Sequence, residues 1–88
     1  MATHNVDVCE SWNGSPGDQV NFSNSLKINC IVTQNGSNPW PFTDNSPIIV
    51  PPAGTTTYLK PAGQLPNGSY PYGVDCCPTQ GLKIVTVP

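Results

Sequence analysis

Along these 88 residues the apolar positions fall in short runs whose spacing is two. Val6 and Val8 alternate with polar neighbours, with Glu10 in phase. Val20 and Phe22 do the same, then Ile28, Cys30 and Val32, and near the end either Ile84 with Thr86 or Val85 with Val87. Successive side chains of an extended backbone point to opposite faces, so this alternation marks strands that bury one face each. β-Branched and aromatic residues, which suit a pleated half-buried surface, dominate the runs. The pattern predicts strands over 5–12, 19–25, 27–33, 48–50, 55–59, 69–74 and 82–87. No useful stretch keeps the i, i+3, i+4, i+7 spacing of an amphipathic helix, and eleven prolines interrupt the chain. About seven short strands between turn clusters imply an all-β sandwich or barrel.

The punctuation is also readable. Asn13-Gly14-Ser15-Pro16-Gly17-Asp18 reads as a hairpin connection, Asn35-Gly36 as a type I′ turn pair, and Asn67-Gly68 as the lead into a strand. From 37 to 52 the chain is mostly loop, with Pro39, Pro41, Pro47, Pro51 and Pro52. No linker, repeat or low-complexity tail appears, so residues 1–88 form one domain, with 1–4 expected to be disordered or expression-derived. Pairing among such strands is non-local, which slows folding.

Composition narrows the function. A domain this small buries only about 60% of its unfolded surface and needs staples. Charged residues make up 9% of the chain, against about 25% in an average one. Three lysines, no arginine and five carboxylates give a net charge of −2, which excludes a nucleic-acid partner, since phosphate neutralisation needs clustered cations. No run approaches the ~20 apolar residues of a membrane span, and the start lacks the basic and apolar segments of a secretory signal. Four cysteines in a Gly, Pro, Asn, Ser and Thr-rich chain nevertheless fit an oxidising compartment. The expectation is a secreted or periplasmic protein whose signal peptide is absent from this sequence. Asn13, Asn21, Asn35 and Asn67 match the glycosylation sequon, as a chain so rich in Asn and Ser does by chance.

Several segments, in order, resemble the cupredoxins, the Greek-key β-sandwiches that include plastocyanin and azurin. Gly17-Asp18-Gln19-Val20-Asn21-Phe22-Ser23-Asn24 is similar to that family's Gly-Asp-x-Val-x-Phe-x-Asn strand. Cys30-Ile31-Val32 occupies the place of the first copper-ligand histidine. Ile48-Ile49-Val50-Pro51-Pro52-Ala53-Gly54-Thr55-Thr56 fits the strand-turn-strand that comes next. Gly68-Ser69-Tyr70-Pro71-Tyr72 is similar to the strand before the ligand cysteine, and Lys83-Ile84-Val85-Thr86-Val87 to the closing strand. The resemblance runs from Cys9 to Pro88 and implies a cupredoxin-like sandwich; an immunoglobulin-like sandwich is the alternative, without its Cys, Trp, Tyr-x-Cys spacing. The departures decide the chemistry. A type 1 copper site needs two imidazoles and a thiolate with a weak axial ligand. The chain has one histidine, His4, and one methionine, Met1, and the segment 74–81 holds neither.

Counting back from the expected hairpin sets Cys9 opposite Ser23, and the resemblance sets Cys76 and Cys77 in the loop that faces Cys30. All four cysteines then converge on one end of the sandwich. Adjacent residues point to opposite faces, so Cys76 and Cys77 should reach different partners. Two disulfides result, most simply Cys9 and Cys30 each joined to one member of the pair, with the connectivity open. The alternative is a copper or zinc site built on Cys9, Cys30, Cys76 and Cys77. Against it, vicinal cysteines have difficulty directing both sulfurs at one ion.

Other candidates are sparser. With Met1 trimmed, Ala2-Thr3-His4 could wrap Cu(II) or Ni(II) in a square plane, against the plainer reading of an incidental histidine in a disordered terminus. Trp12, Trp40, Phe42, Tyr58, Tyr70 and Tyr72 could stack a sugar. Phe22, Tyr70 and Tyr72, on strands, are expected in the core, whereas Trp40, between two prolines in the polar loop, is the candidate ligand contact, with Trp12 behind it. No second histidine exists for a triad, and Asp7, Glu10, Asp18, Asp44 and Asp75 are scattered, with Asp18 explained by its turn. The sequence therefore points to a monomeric, non-enzymatic structural or binding domain without cofactor, whose partner is a protein or a glycan. Metal binding and carbohydrate binding are its alternatives.

Overall fold

The computed structural model describes residues 2–77 and 82–88, which leaves Met1 and residues 78–81 of the expected loop outside the description. Eight strands form two sheets: β1 (Thr3–Asp7), β2 (Trp12–Asn13), β3 (Gln19–Ser23), β4 (Cys30–Gln34), β5 (Ile48–Val50), β6 (Thr55–Tyr58), β7 (Gly68–Val74) and β8 (Leu82–Val87). The smaller sheet has the order β1-β3-β6 and the larger β2-β8-β7-β4-β5. Among the described residues there is no helix, and so none long and apolar enough to cross a membrane.

The alternation of the sequence sets what the sheets bury between them. Val6, Val20 and Phe22 face inward from the smaller sheet, and Cys30, Val32, Val50, Tyr72, Val74, Val85 and Val87 from the larger. Edge-to-face contacts among Phe22, Phe42 and Tyr72, with ring centroids 5.3–6.4 Å apart, knit the two layers. Phe42, in the long loop, is fully buried, so it belongs to the core and offers no surface platform.

Five local expectations need correction. The run 5–12 is two strands in different sheets. Asp7 Oδ1 accepts the Cys9 amide at 2.9 Å and the Asp7 carbonyl accepts Glu10 N, a side-chain-stabilised turn that leaves Glu10 exposed. Residues 13–18 are consequently no hairpin. β2 pairs in parallel with β8, and β3 pairs in parallel with β1, so this segment carries the chain from one sheet to the other. The strand expected from residue 27 starts at Cys30, because Asn24 holds the preceding loop: it accepts Leu26 N and donates to the Ile28 and Val50 carbonyls, leaving Ile28 62% exposed. At Asn35-Gly36 a type I′ turn would require positive φ at both residues. Only Gly36 has it, at 57°, and Asn35 instead opens the turn by accepting Asn38 N. Thr3 and His4, expected outside the fold, are the first residues of β1.

Candidate functional site

Cys9 follows β1, Cys30 opens β4, and Cys76 and Cys77 follow β7, which brings all four to one end of the sandwich. The expected pairing of Cys9 with Ser23 is shifted: Asp7 is the register partner of Ser23, Val8 N donates to the Ser23 carbonyl at 2.9 Å, and Cys9 follows through parallel pairing and not through a hairpin. Cys77 bonds to Cys9 and Cys76 to Cys30, with Cα separations of 5.5 and 5.2 Å, inside the ordinary range for disulfides. The vicinal pair thus reaches the end of β1 in one sheet with one sulfur and the start of β4 in the other sheet with its neighbour. Cys30 is fully buried while Cys9, Cys76 and Cys77 are half-buried. The Sγ atoms of Cys9, Cys76 and Cys77 lie within 4.8 Å of one another. Asp75 anchors the base of this loop, its Oδ1 accepting Ile31 N at 2.9 Å and its own amide donating to the Ile31 carbonyl.

At the opposite end of β1 sits the only histidine. His4 Nε2 is 2.7 Å from Asp18 Oδ2, and Asp18 also accepts the Ala2 and Ser15 amides at 3.0 and 2.9 Å. Burial raises the Asp18 pKa, but the His4 hydrogen bond and the two amides outweigh it and hold the carboxyl down at about 2. Asp18 is therefore the hub that ties the first strand to the crossover, a role beyond the turn residue its sequence context announces. The Ala2 amide and the His4 imidazole are both committed to that carboxylate, which opposes their wrapping a free metal ion.

Neither tryptophan is a bare platform. Trp12 Nε1 donates to Tyr72 Oη at 3.0 Å, and its ring lies over Gly14, where a Cβ would stand 2.7 Å from Trp12 Cζ3. Burial pushes the Tyr72 phenol up to about 12 in spite of that bond. Trp40 packs edge-on against Phe42 at 5.1 Å and donates Nε1 to the Asp44 carbonyl at 2.6 Å, which leaves it half-buried. Tyr70 is buried, and Tyr58 is 47% exposed.

No family model and no curated protein matches the sequence. Among solved structures, the chain is similar to a reduced proline-to-phenylalanine mutant of amicyanin, with a TM-score of 0.57 at 14% identity over 100% of this chain and 82% of that one. A Cu(I) methionine-to-alanine mutant of amicyanin gives 0.56 at 16% identity, over 98% and 82%. A Sinorhizobium pseudoazurin gives 0.54 at 16% identity, over 100% and 75%. The likeness shows the fold: this is a cupredoxin-like β-sandwich, and the immunoglobulin-like alternative falls away.

The residues present do not fit the type 1 copper centre that such a fold suggests. His₂Cys coordination needs two imidazoles. The chain has one, held by Asp18 at the far end of β1 from the cysteines. All four sulfurs are bonded in pairs. Cys9–Cys77 ties the smaller sheet to the larger one, and Cys30–Cys76 ties the neighbouring strands β4 and β7 within the larger sheet.

Proposed function

We propose that this chain is a small extracytoplasmic domain with a structural or binding role, in which the scaffold of an electron carrier has been turned to a use without copper, cofactor or catalysis. The observation that carries this reading is the pair of bridges from Cys76 and Cys77 to the two sheets, which consumes every thiolate at that end. Disulfides of this kind persist in oxidising compartments, and the chain's low charge suits a neutral partner. Alkylation without reductant, read by mass, should find no free thiol, and Cu(II) titration should raise no intense visible band. Four alkylated cysteines, or a blue chromophore, would refute the proposal.

A second reading has one observation in its favour, the three sulfurs within 4.8 Å. Once reduced, Cys9, Cys76 and Cys77 could present a soft thiolate set to Cu(I) or Zn(II). Elemental analysis of protein purified under reducing conditions tests it, with stoichiometric metal as the supporting result and metal-free protein as the opposing one.

A further inference from the structure

The smaller sheet turns outward a face to which no cysteine contributes a strand residue. Register across β1, β3 and β6 arranges its outward side chains in rows, Thr3 with Gln19 and Tyr58, then Asn5 with Asn21 and Thr56. The side chains bond across the strands: Thr3 Oγ1 donates to Gln19 Oε1 at 3.3 Å, Asn21 Nδ2 to Asn5 Oδ1 at 3.0 Å, and Thr56 Oγ1 to Asn21 Oδ1 at 2.9 Å. This network fixes the amides. Asn5 and Gln19 are engaged through their oxygens, which directs their Nδ2 and Nε2 donors toward solvent. None of the six side chains carries a charge. Tyr58, 47% exposed, ends the first row.

Beyond the second row the face opens into a depression of about 200 Å³, bounded by Asn5, Asn21, Ser23 and Asn24 on one side and the Pro52–Gly54 turn on the other. Its wall depends on a glycine. Gly54 has φ of 82°, and a Cβ there would lie 2.8 Å from the Phe22 carbonyl oxygen, so only glycine lets the turn lie this close to β3. Same-face residues along a strand are about 6.7 Å apart, which puts the Tyr58 row roughly 7 Å from Asn21 at the near edge of the depression and roughly 13 Å from Ser23 at its far edge.

We infer that this face binds a neutral oligosaccharide, an inference that rests on reading the chain as a binding domain. Sugar hydroxyls both donate and accept, as amides and hydroxyls do, and the apolar C–H face of a pyranose stacks on an exposed ring. A ladder already ordered by its own hydrogen bonds loses little freedom on binding. The span from Tyr58 to the far edge of the depression exceeds one sugar ring, so the ligand is a chain of two or more units with Tyr58 at one end. An anionic glycan finds no cation in the ladder and meets Asp7 in the row beyond it.

Affinity electrophoresis of the disulfide-intact chain in gels containing a mixed-linkage β-glucan, xylan or mannan tests the inference. Retardation is expected in at least one gel, weakened tenfold or more by Tyr58→Ala and by Asn21→Ala, and unchanged by Trp40→Ala. Near-UV circular dichroism certifies the fold, and Tyr58, outside the core, provides the variant that leaves packing intact. Migration unaffected by all three polysaccharides overturns it. So does full retention by the Asn21→Ala/Tyr58→Ala double variant, loss with Trp40→Ala alone, or stronger retardation by polygalacturonate. Thiol counts and copper spectra on the same sample report on the proposed function separately, so the two can fail independently.

Discussion

Asp18 shows how much one side chain can do when it is buried with donors around it. Its carboxyl sits at about 2 against an ordinary 3.8, so the folded state prefers the ionised form. That preference contributes about 2 kcal/mol, fully present above pH ~4 and lost as pH falls through ~2. Asp18→Asn should lower the melting temperature at pH 6 by about 10 °C, on the scale of 4–8 °C per kcal/mol for a domain of this size. The gap between the two proteins should close toward pH 2 in a series of thermal melts. A gap that is constant with pH would remove the electrostatic explanation. The sequence announces Asp18 as a turn residue and gives no hint of the hub. Its partners His4 and Ala2 reach it only through the parallel pairing of β1 with β3, and nothing in the local pattern specifies that pairing.

Most strands were legible and their pairings were not. The inward sets Val20 and Phe22, Cys30 and Val32, and Val85 and Val87 follow directly from alternation, because a strand with one buried face must repeat at two. Alternation does not say which sheet receives a strand. A parallel neighbour leaves no turn signal, so Asn13 to Asp18 resembles a hairpin while serving as a crossover. Side chains that bind backbone also override the period, as Asn24 does. It satisfies one amide and two carbonyls between β3 and β5, so Asn24→Ala strands buried groups and should cost about 2–3 kcal/mol in urea unfolding. Hydrogen exchange should accelerate first at Leu26, whose amide loses its acceptor. If Ile48–Val50 lost protection while Leu26 kept its own, the account of that loop would be wrong.

For the whole molecule, the convergence of four cysteines was readable and the outward ladder of the smaller sheet was not. Cysteines advertise bridges by composition alone, whereas Asn5, Asn21 and Thr56 become a surface only once register aligns them. The two bridges span 68 and 46 residues, each worth up to about 4 kcal/mol alone in the chain-entropy model. For a fold whose total stability is of order 5–15 kcal/mol that contribution is decisive. Reduction should therefore abolish the near-UV circular dichroism at 37 °C, and if the thiolate reading holds, Zn(II) or Cu(I) should restore part of it. A reduced chain that stays fully folded would show that the core suffices without staples.

The Cys9–Cys77 bridge also governs how the molecule would answer to tension. Only residues 1–8 and 78–88 lie outside the loop it closes. Pulled by its ends, the oxidised chain can lengthen through those two tails alone, roughly 65 Å of extended backbone at ~3.4 Å per residue. The reduced chain could pay out roughly 300 Å on the same measure. Residues 9–77 are thereby shielded from an axial load, while β1 and β8 peel away, so the outward ladder would lose Thr3 and Asn5 and keep Gln19, Asn21, Thr56 and Tyr58.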